Sequence, residues 1–338
     1  MRGSLLAIAL LIGVVVAHAE PATAPEAIAI PGGRAGIGYD DLQYAPALKR
    51  ILVPAGRTGT LALIDPATRK VTTIAGFSGA ASYRGGHGQG TTSAAELTGF
   101  PGFVVATDRG ATALRLVDTR SGKLVQSVTL AASPDYVRVV EQTGEVWVSE
   151  PGRKQLQVLR IDGKERPRLV PAAILPVPDG PESLVIDPVR GRAYSHTWKD
   201  QSYAIDLKTR TVVATWSNGC RGSRGMALDA ARGFLFAGCA EGKVTVVRLA
   251  TLEVVATAIT GPDVDSIGYA AATGHLYVPA GGSAELWTFA VAQQGALSLV
   301  GKLPTAPDAH TVAFDPDSRS LFIGAPDHGA VLMFRDRF

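Results

Sequence analysis

Short apolar runs alternate with short polar turns along most of the chain, a pattern that predicts β-strands rather than helices. Five segments align without gaps: "LQYAPALKRILVP" (42–54), "LVIDPVRGRAYSH" (184–196), "MALDAARGFLFAG" (226–238), "IGYAAATGHLYVP" (267–279) and "VAFDPDSRSLFIG" (312–324). Each reads as an alternating strand, a turn carrying Pro, Gly or Asp, and a second strand. A sixth copy at 137–149 fits with a small register change. Residues 103–118 imply a seventh copy, whose first strand must precede Gly99.

A third strand follows each pair, and in several copies it ends in Asp followed by Thr or Ser and then Lys or Arg. Examples are "LALIDPATRKV" (61–71), "LRLVDTRSGKL" (114–124) and "YAIDLKTRTV" (203–212), and a fourth apolar run comes next. The equivalent positions Asp187, Asp229, Ala270 and Asp315 are separated by 42, 41 and 45 residues. Four strands in each of seven such units predict an all-β fold, a seven-bladed β-propeller with four-stranded antiparallel blades.

The last copy has only three strands before Phe338, and the N-terminal segment "PEAIAIPGG" (25–33) can supply its fourth strand. Such pairing closes the ring and removes free strand edges. We therefore expect a single β-propeller domain over residues 20–338. The expected blades are approximately 36–75, 76–131, 132–176, 177–218, 219–260, 261–304, and 305–338 together with 25–33.

The chain begins with Arg2, an apolar run over 5–16, and the small-x-small sequence Ala17-His18-Ala19. This order is typical of a signal peptide over residues 1–19, cleaved near Ala19. The apolar run is shorter than the roughly 20 residues that span a bilayer, although an uncleaved membrane anchor is the alternative. We expect an exported protein, periplasmic or secreted, with no transmembrane segment in the mature chain.

Composition supports a turn-rich β protein, since charged residues are only 19% of the chain and Gly and Pro number 38 and 21. The formal charge of +3 comes without a basic run, so no nucleic-acid partner is expected. The two cysteines, Cys220 and Cys239, fall before the first and after the second strand of the fifth blade. Because export favours oxidation, we expect them to form a disulfide rather than a redox or metal pair.

The strand pair with Asp-Pro and Gly-Arg in its turn, followed by a strand ending in Ile-Asp, resembles the YVTN or YncE-like seven-bladed propellers of the periplasm. "HLYVP" (275–279) and "RILVP" (50–54) stand where that family often has Tyr-Val-Thr-Asn, and the resemblance covers residues 25–338. It implies an exported propeller, and we expect a monomer. The family includes binding proteins and surface proteins, so the resemblance does not by itself give the function.

The topology predicts where a site could lie, because the first strand of every blade lines the central channel in the same direction. The residues that precede these strands should meet at one mouth of the channel: Asp41, His87, Asp135, Glu182, Arg224, Asp265 and His310. Loops after the second strands open on the same face and add Glu150, His196 and His328. His275 is expected in a turn on the opposite face.

Histidine and carboxylate side chains on one face suit a divalent metal such as zinc or calcium. The candidate ligands are His87, His196, His310 and Glu182, although no close pair such as His-x-His is present. The alternative is that these polar residues only line a wet channel entrance or, like Glu182 and Asp265, pair with arginines.

Three functions remain open from the sequence. The first is a non-catalytic exported binding protein whose channel-mouth face holds a protein, a peptide or a small ligand. The second is a metal-dependent hydrolase or lyase with Glu182 as a candidate base. The third is an accessory subunit of a periplasmic oxidoreductase. The chain has no Cys-x-x-Cys-His and no Gly-x-Ser-x-Gly motif. Trp147, Trp198 and Trp216 are expected to pack against strands rather than form a binding cage.

Overall fold

The computed structural model describes residues 24–338. The predicted signal peptide and its cleavage site at Ala19 lie outside the described residues. Within them, 28 strands form seven four-stranded antiparallel sheets, joined by turns and two short 3-10 helices at Gly33–Ala35 and Pro151–Arg153. The predicted all-β, seven-bladed propeller is therefore confirmed. No helix within residues 24–338 is long and apolar enough to cross a membrane.

The strands fall into four classes by their position in the blade, counted outward from the channel. The innermost are β2 (Gln43–Ala45), β6 (Ala94–Glu96), β10 (Val137–Val140), β14 (Glu182–Asp187), β18 (Ser223–Asp229), β22 (Gly268–Ala270) and β26 (Val312–Asp315). The second strands are β3 (Arg50–Pro54), β7 (Phe103–Asp108), β11 (Glu145–Glu150), β15 (Arg192–His196), β19 (Phe234–Cys239), β23 (His275–Ala280) and β27 (Ser320–Ala325). The third strands are β4 (Thr58–Ile64), β8 (Ala113–Asp118), β12 (Gln155–Asp162), β16 (Gln201–Asp206), β20 (Lys243–Arg248), β24 (Glu285–Val291) and β28 (Ala330–Arg335). The outermost are β5 (Val71–Gly79), β9 (Lys123–Thr129), β13 (Arg168–Pro176), β17 (Val212–Ser217), β21 (Glu253–Ile259), β25 (Leu297–Pro304) and β1 (Glu26–Ala29).

The ring closes through the N-terminal strand, as the sequence predicts. β1 pairs antiparallel with β28, with Glu26 opposite Met333 and Ala29 opposite Ala330. Each innermost strand contacts the innermost strand of the next blade, and β26 contacts β2 to complete the circle. Without β1 the outer side of β28 would be an unpaired edge, which is a site for unwanted strand addition.

The apolar core lies between blades rather than inside any one of them. Seven clusters of buried side chains each pack one blade against its neighbour. The second strands lie between two such clusters, so a strand such as β19 is buried at all six positions. The outermost strands face solvent on one side, and β9 is exposed at alternate positions. This explains why the second strands read as continuous apolar runs and the fourth strands as alternating ones.

The recurrent Asp after the third strand has a local structural role. The carboxylate of Asp65 accepts the backbone N–H groups of Ala67 and Thr68, both at 3.0 Å. Asp206 accepts those of Lys208 and Thr209 in the same way, both at 2.9 Å. A side chain that caps its own turn in this way fixes the return into the fourth strand.

The predicted disulfide is also present. Cys220 and Cys239 are bonded, with their Cα atoms 5.2 Å apart. Cys239 is paired with Ser223 across the β18–β19 ladder, so the bond closes the end of this blade beside Arg224. The disulfide is therefore a structural clamp next to the channel mouth.

Candidate functional site

The loops that precede the innermost strands converge at one end of the channel and enclose a cavity of about 370 Å³. Its charged lining comes from five successive blades: His87, Arg109, Asp135, Glu182, Arg224 and Asp265. Five of these six were predicted from the sequence, and Arg109 was not. Trp198, Pro151 and Gly152 form part of the rim. The structure therefore brings together a mixed set of acidic and basic groups in one recess.

A network of four charged residues occupies the side of the cavity formed by the first three blades. The Nδ1 atom of His87 lies 2.9 Å from the Asp40 carboxylate, and Asp40 is almost completely buried. Arg109 pairs with Asp135, donates from Nε to the Pro134 carbonyl at 3.0 Å, and lies 3.9 Å from Asp40. Two carboxylates are thus matched by two cations.

The pKa values in this network are displaced in opposite directions. The charge of Asp40 raises the pKa of His87 to about 10, against the opposing effect of burial. Burial and then the neighbouring Asp40 carboxylate raise the pKa of Asp135 to about 7. Burial alone would raise the pKa of Asp40, but the positive charges of His87 and Arg109 hold that pKa below the ordinary value. The imidazolium of His87 and the Asp40 carboxylate are therefore both charged at neutral pH, while Asp135 keeps its proton to a higher pH than a free aspartate does.

Below the cavity, an ion pair of Arg138 with Asp41 joins the third blade to the first, and Ser93 of the second blade bonds to the same carboxylate. Its guanidinium donates to both oxygens of Asp41, at 2.6 and 3.1 Å. Asp41 also accepts from Ser93 at 2.5 Å and from Gln43 at 2.6 Å. Asp41 was predicted at the mouth, but it does not line the cavity, and its carboxylate is occupied by protein partners.

Tyr136 crosses the channel directly under the cavity. It is 2% exposed, and its hydroxyl lies 3.4 Å from the Oγ atom of Ser266, three blades away. Ser266 in turn donates to the backbone carbonyl of Asp40 at 3.0 Å. Burial raises the pKa of Tyr136 the most, and the surrounding carboxylates, Asp40 first among them, raise it further. The phenol therefore remains neutral. Three residues that line the cavity, Asp265, Glu182 and Asp135, are among the carboxylates that act on this phenol, so Tyr136 lies close to the recess.

The other side of the cavity carries Glu182, Arg224 and Asp265, from the fourth, fifth and sixth blades. Glu182 is 8% exposed, and its carboxyl group receives no hydrogen bond from residues 24–338. The Asp265 Oδ1 atom is buried without a partner in the same range. Arg224 donates from Nη1 to the Ser223 carbonyl at 2.9 Å, and no ion pair within 4 Å joins it to either carboxylate.

Burial, together with Asp135 and Asp265, raises the pKa of Glu182 well above its ordinary value, while Arg224 opposes the change. Burial likewise raises the pKa of Asp265, with His310 opposing it. A one-residue register shift lies beside Glu182 in β14 and beside Ser223 and Arg224 in β18. Such bulges redirect side chains at the end of a strand, and here they occur in the two adjacent blades that carry these groups.

The remaining predicted residues have other surroundings. His310 lies beside His87, with ring centroids 5.8 Å apart, and its Nε2 and Nδ1 atoms face the carbonyl oxygens of Tyr39 (3.0 Å) and Asp308 (2.5 Å). Glu150 is buried at the end of β11 and bonded to Gln155. His328 is exposed in the turn between β27 and β28.

His196 is completely buried inside its blade, where Nδ1 lies 2.7 Å from Ser202 Oγ and 3.2 Å from Asn218 Nδ2. Burial lowers the pKa of His196 to about 3, so the ring is neutral. His275 begins β23 and lies 2.9 Å from Asp336. Both histidines therefore bond within the protein.

Within residues 24–338, no group of three or more His, Cys, Asp or Glu side chains is arranged to hold a metal ion. The proposed ligands His87, His196, His310 and Glu182 form no such group. The metal site, and with it the role of Glu182 as a base, stays a prediction that metal analysis of the purified protein would test.

Sequence reasoning missed three residues of the site, namely Asp40, Arg109 and Trp198. Arg109 directly follows β7, in the class of loops after second strands that also suggested Glu150, so the same rule extended to β7 gives Arg109. Trp147 and Trp216 are buried as expected, but Trp198 is 51% exposed at the rim. Its exposure makes it available to a ligand.

No protein-family model and no curated protein sequence matches this chain. Solved structures do match it along almost the whole length. A chain in a crystal structure of the mitotic checkpoint complex aligns over 99% of both chains with a TM-score of 0.76 and 13% identity. A chain of Kuenenia stuttgartiensis hydrazine synthase aligns over 90% of this chain and 96% of its own, with a TM-score of 0.72 and 13% identity. At such low identity these likenesses show the fold alone.

Proposed function

We propose that this protein is an exported binding protein of the YVTN or YncE-like type, and that it holds a small polar ligand in the channel-mouth cavity. The observation that carries the proposal is the recess itself. A volume of about 370 Å³ lies in the range of small-molecule sites, and five blades contribute charged groups to it. Propellers commonly present ligands at this position of a rigid scaffold, where loops carry the recognition groups.

Several features favour binding at this face. The charged groups sit at the ends of strands that pack from both sides, so their positions are fixed before a ligand arrives. Trp198 offers an exposed aromatic surface at the rim of the recess. Polar walls and an aromatic rim together suit a compact ligand better than an extended chain.

A blocked cavity provides the test. Gly152 lies on the rim, and a side chain added there meets no atom within 4 Å, so Gly152→Trp should obstruct the recess without disturbing the fold. Gly99→Trp is the matched control, because Gly99 is equally open and exposed but lies in the turn after β6, at the opposite face. Compounds that raise the melting temperature of the wild type should lose this effect with Gly152→Trp and keep it with Gly99→Trp. The proposal is refuted if no compound in a library of polar metabolites stabilises the wild type, or if the compounds that do so stabilise Gly152→Trp and Gly99→Trp equally.

Export is a separate part of the proposal, supported by the signal-like residues 1–19 and by the Cys220–Cys239 bond. Expression of the full chain in a bacterium, followed by mass measurement of the periplasmic and culture-medium fractions, tests it. The expected product begins at Glu20. A protein that retains residues 1–19 and stays with the cells would contradict it.

A further inference from the structure

The two sides of the cavity differ in how their charges are used. On the side of the first three blades, Asp40 and Asp135 face His87 and Arg109, two negative against two positive groups. On the other side, Glu182 and Asp265 form no ion pair with Arg224 within 4 Å, and His310 and His87 also act on Asp265 from across the recess. Among the groups that act most on Glu182, three are carboxylates and one is a cation, Arg224. The carboxyl group of Glu182 is therefore not committed to a cation of the protein.

The central group of this set is Glu182. It is more than nine-tenths buried, it lines the cavity, and no residue of 24–338 donates a hydrogen bond to its carboxyl group. A buried carboxyl group without donors is costly unless it is neutralised or acquires a partner. Asp265 lines the same cavity, and its Oδ1 atom is buried without a partner in residues 24–338. A donor group bound in the recess would supply Glu182 with the partner that it lacks and would lie in the same cavity as Asp265.

We infer, building on the proposed function, that the ligand of this cavity is a small organic cation whose ammonium or guanidinium group is held by Glu182 and Asp265. Such a group supplies several N–H donors and one positive charge, which is what this half of the recess lacks. The indole of Trp198 stands half-exposed on the same side of the rim, where an aromatic face stabilises a cation by a further contribution. Arg224 lines the same recess and disfavours a second positive charge, so a ligand with one cationic end fits best.

Binding of this kind carries a proton signature. The groups that face Glu182 are Asp135, Asp265 and Asp40, which raise its pKa along with burial, and Arg224, which lowers it. The hydroxyl groups of Tyr136 and Tyr203 also lie near enough to feel its charge and stay neutral. A cation beside Glu182 stabilises the ionised form, so binding releases a proton from the fraction of molecules in which Glu182 is protonated. Affinity should rise with pH until Glu182 is ionised in the free protein.

Calorimetric titration of the full mature protein tests the inference. The probes are butylamine and butylguanidine as cations with one charged end, with succinate as an anion and glucose as a neutral compound. We expect at least one cationic probe to bind with a heat that depends on the ionisation enthalpy of the buffer, which reports proton release. Glu182→Gln and Asp265→Asn should each weaken Kd by about tenfold or more, because each removes a charged acceptor. Glu182→Gln should also reduce the buffer dependence, because the proton released from Glu182 is then missing.

Glu253→Gln is the control, since it makes the same change at an exposed position on the outermost strand β21. It should leave Kd within about twofold, and melting curves should confirm that all three variants fold. Cation binding that survives Glu182→Gln would overturn the inference. If only succinate or glucose binds, and Gly152→Trp blocks it, the inference fails while the proposed function stands. If no probe binds and no metabolite stabilises the wild type, both fail.

Discussion

Arg138 should be one of the most destabilising positions to change in this protein. Its guanidinium makes two charged hydrogen bonds to Asp41 from across the channel, and its side chain lies against the ring of Tyr136 at 5.4 Å. The side chains of Arg138 and Asp41 are only 16% and 4% exposed. Arg138→Met keeps most of the apolar volume and removes the charge, so it isolates the electrostatic part of the contact.

The magnitude follows from what the substitution leaves behind. In Arg138→Met the Asp41 carboxylate stays buried with only Ser93 and Gln43 as side-chain donors. An uncompensated buried charge of this kind costs about 3–5 kcal/mol. In the double variant Asp41→Asn with Arg138→Met no charge remains unpaired. The double variant should therefore be more stable than Arg138→Met alone, which is the opposite of additivity.

Urea unfolding followed by tryptophan fluorescence measures these free energies. The control is Arg160→Met, at an arginine whose pair with Asp162 is exposed at the surface, and it should leave the unfolding midpoint unchanged. If Arg138→Met shifts the midpoint no more than Arg160→Met does, the ion pair contributes little and the reasoning is refuted. Additive effects in the double variant would refute the part that concerns the unpaired carboxylate.

Three other changes have definite expected results. The pKa of Asp135 is raised to about 7, so the stability gained from its proton is complete below about pH 4 and is lost as pH rises through 7. Asp135→Asn should therefore make the melting temperature less dependent on pH between pH 4 and 8. Parallel curves of melting temperature against pH for the wild type and the variant would contradict this. Replacing Cys220 and Cys239 by Ala opens a loop of 19 residues and should cost about 3 kcal/mol, whereas an unchanged melting temperature would show that the disulfide adds nothing. Deleting residues 24–30 removes β1 and exposes the edge of β28, so the protein should melt earlier and self-associate in light scattering; a monomer of unchanged stability would mean that closure does not depend on β1.

The blade repeat was predictable because it is written into local chemistry. The apolar alternation sets the strands, the turn aspartates cap the returns, and seven copies leave room for only a few architectures. The same regularity placed His87, Asp135, Glu182, Arg224 and Asp265 at one mouth, since each lies in the loop before an innermost strand or at the start of that strand. Position along a repeat thus identifies part of the set of residues that meet.

Position does not say which way each side chain points. Asp40 and Asp41 are neighbours in a segment without regular strand structure, so no alternation rule tells which one faces His87 and which one faces Arg138. The bulges beside Glu182 and Arg224 shift the pattern by one residue in just those strands. For the same reason His196, which follows the rule for a loop residue, is in fact the last residue of β15 and turns into the blade.

The two halves of the mouth are held in place by different forces, and the difference matters for binding. The first three blades are tied by ion pairs, so their charges are already neutralised. The fourth and fifth blades are joined instead by hydrogen bonds between neutral side chains, since Asn218 donates to Ser202 Oγ at 3.0 Å and to Ser223 Oγ at 2.8 Å. The Cys220–Cys239 bond and the Glu241 carboxylate, which accepts the N–H groups of residues 221 and 222, fix the loop that leads to Arg224. A scaffold built this way holds Glu182 and Arg224 rigidly and still leaves their charges available to a ligand.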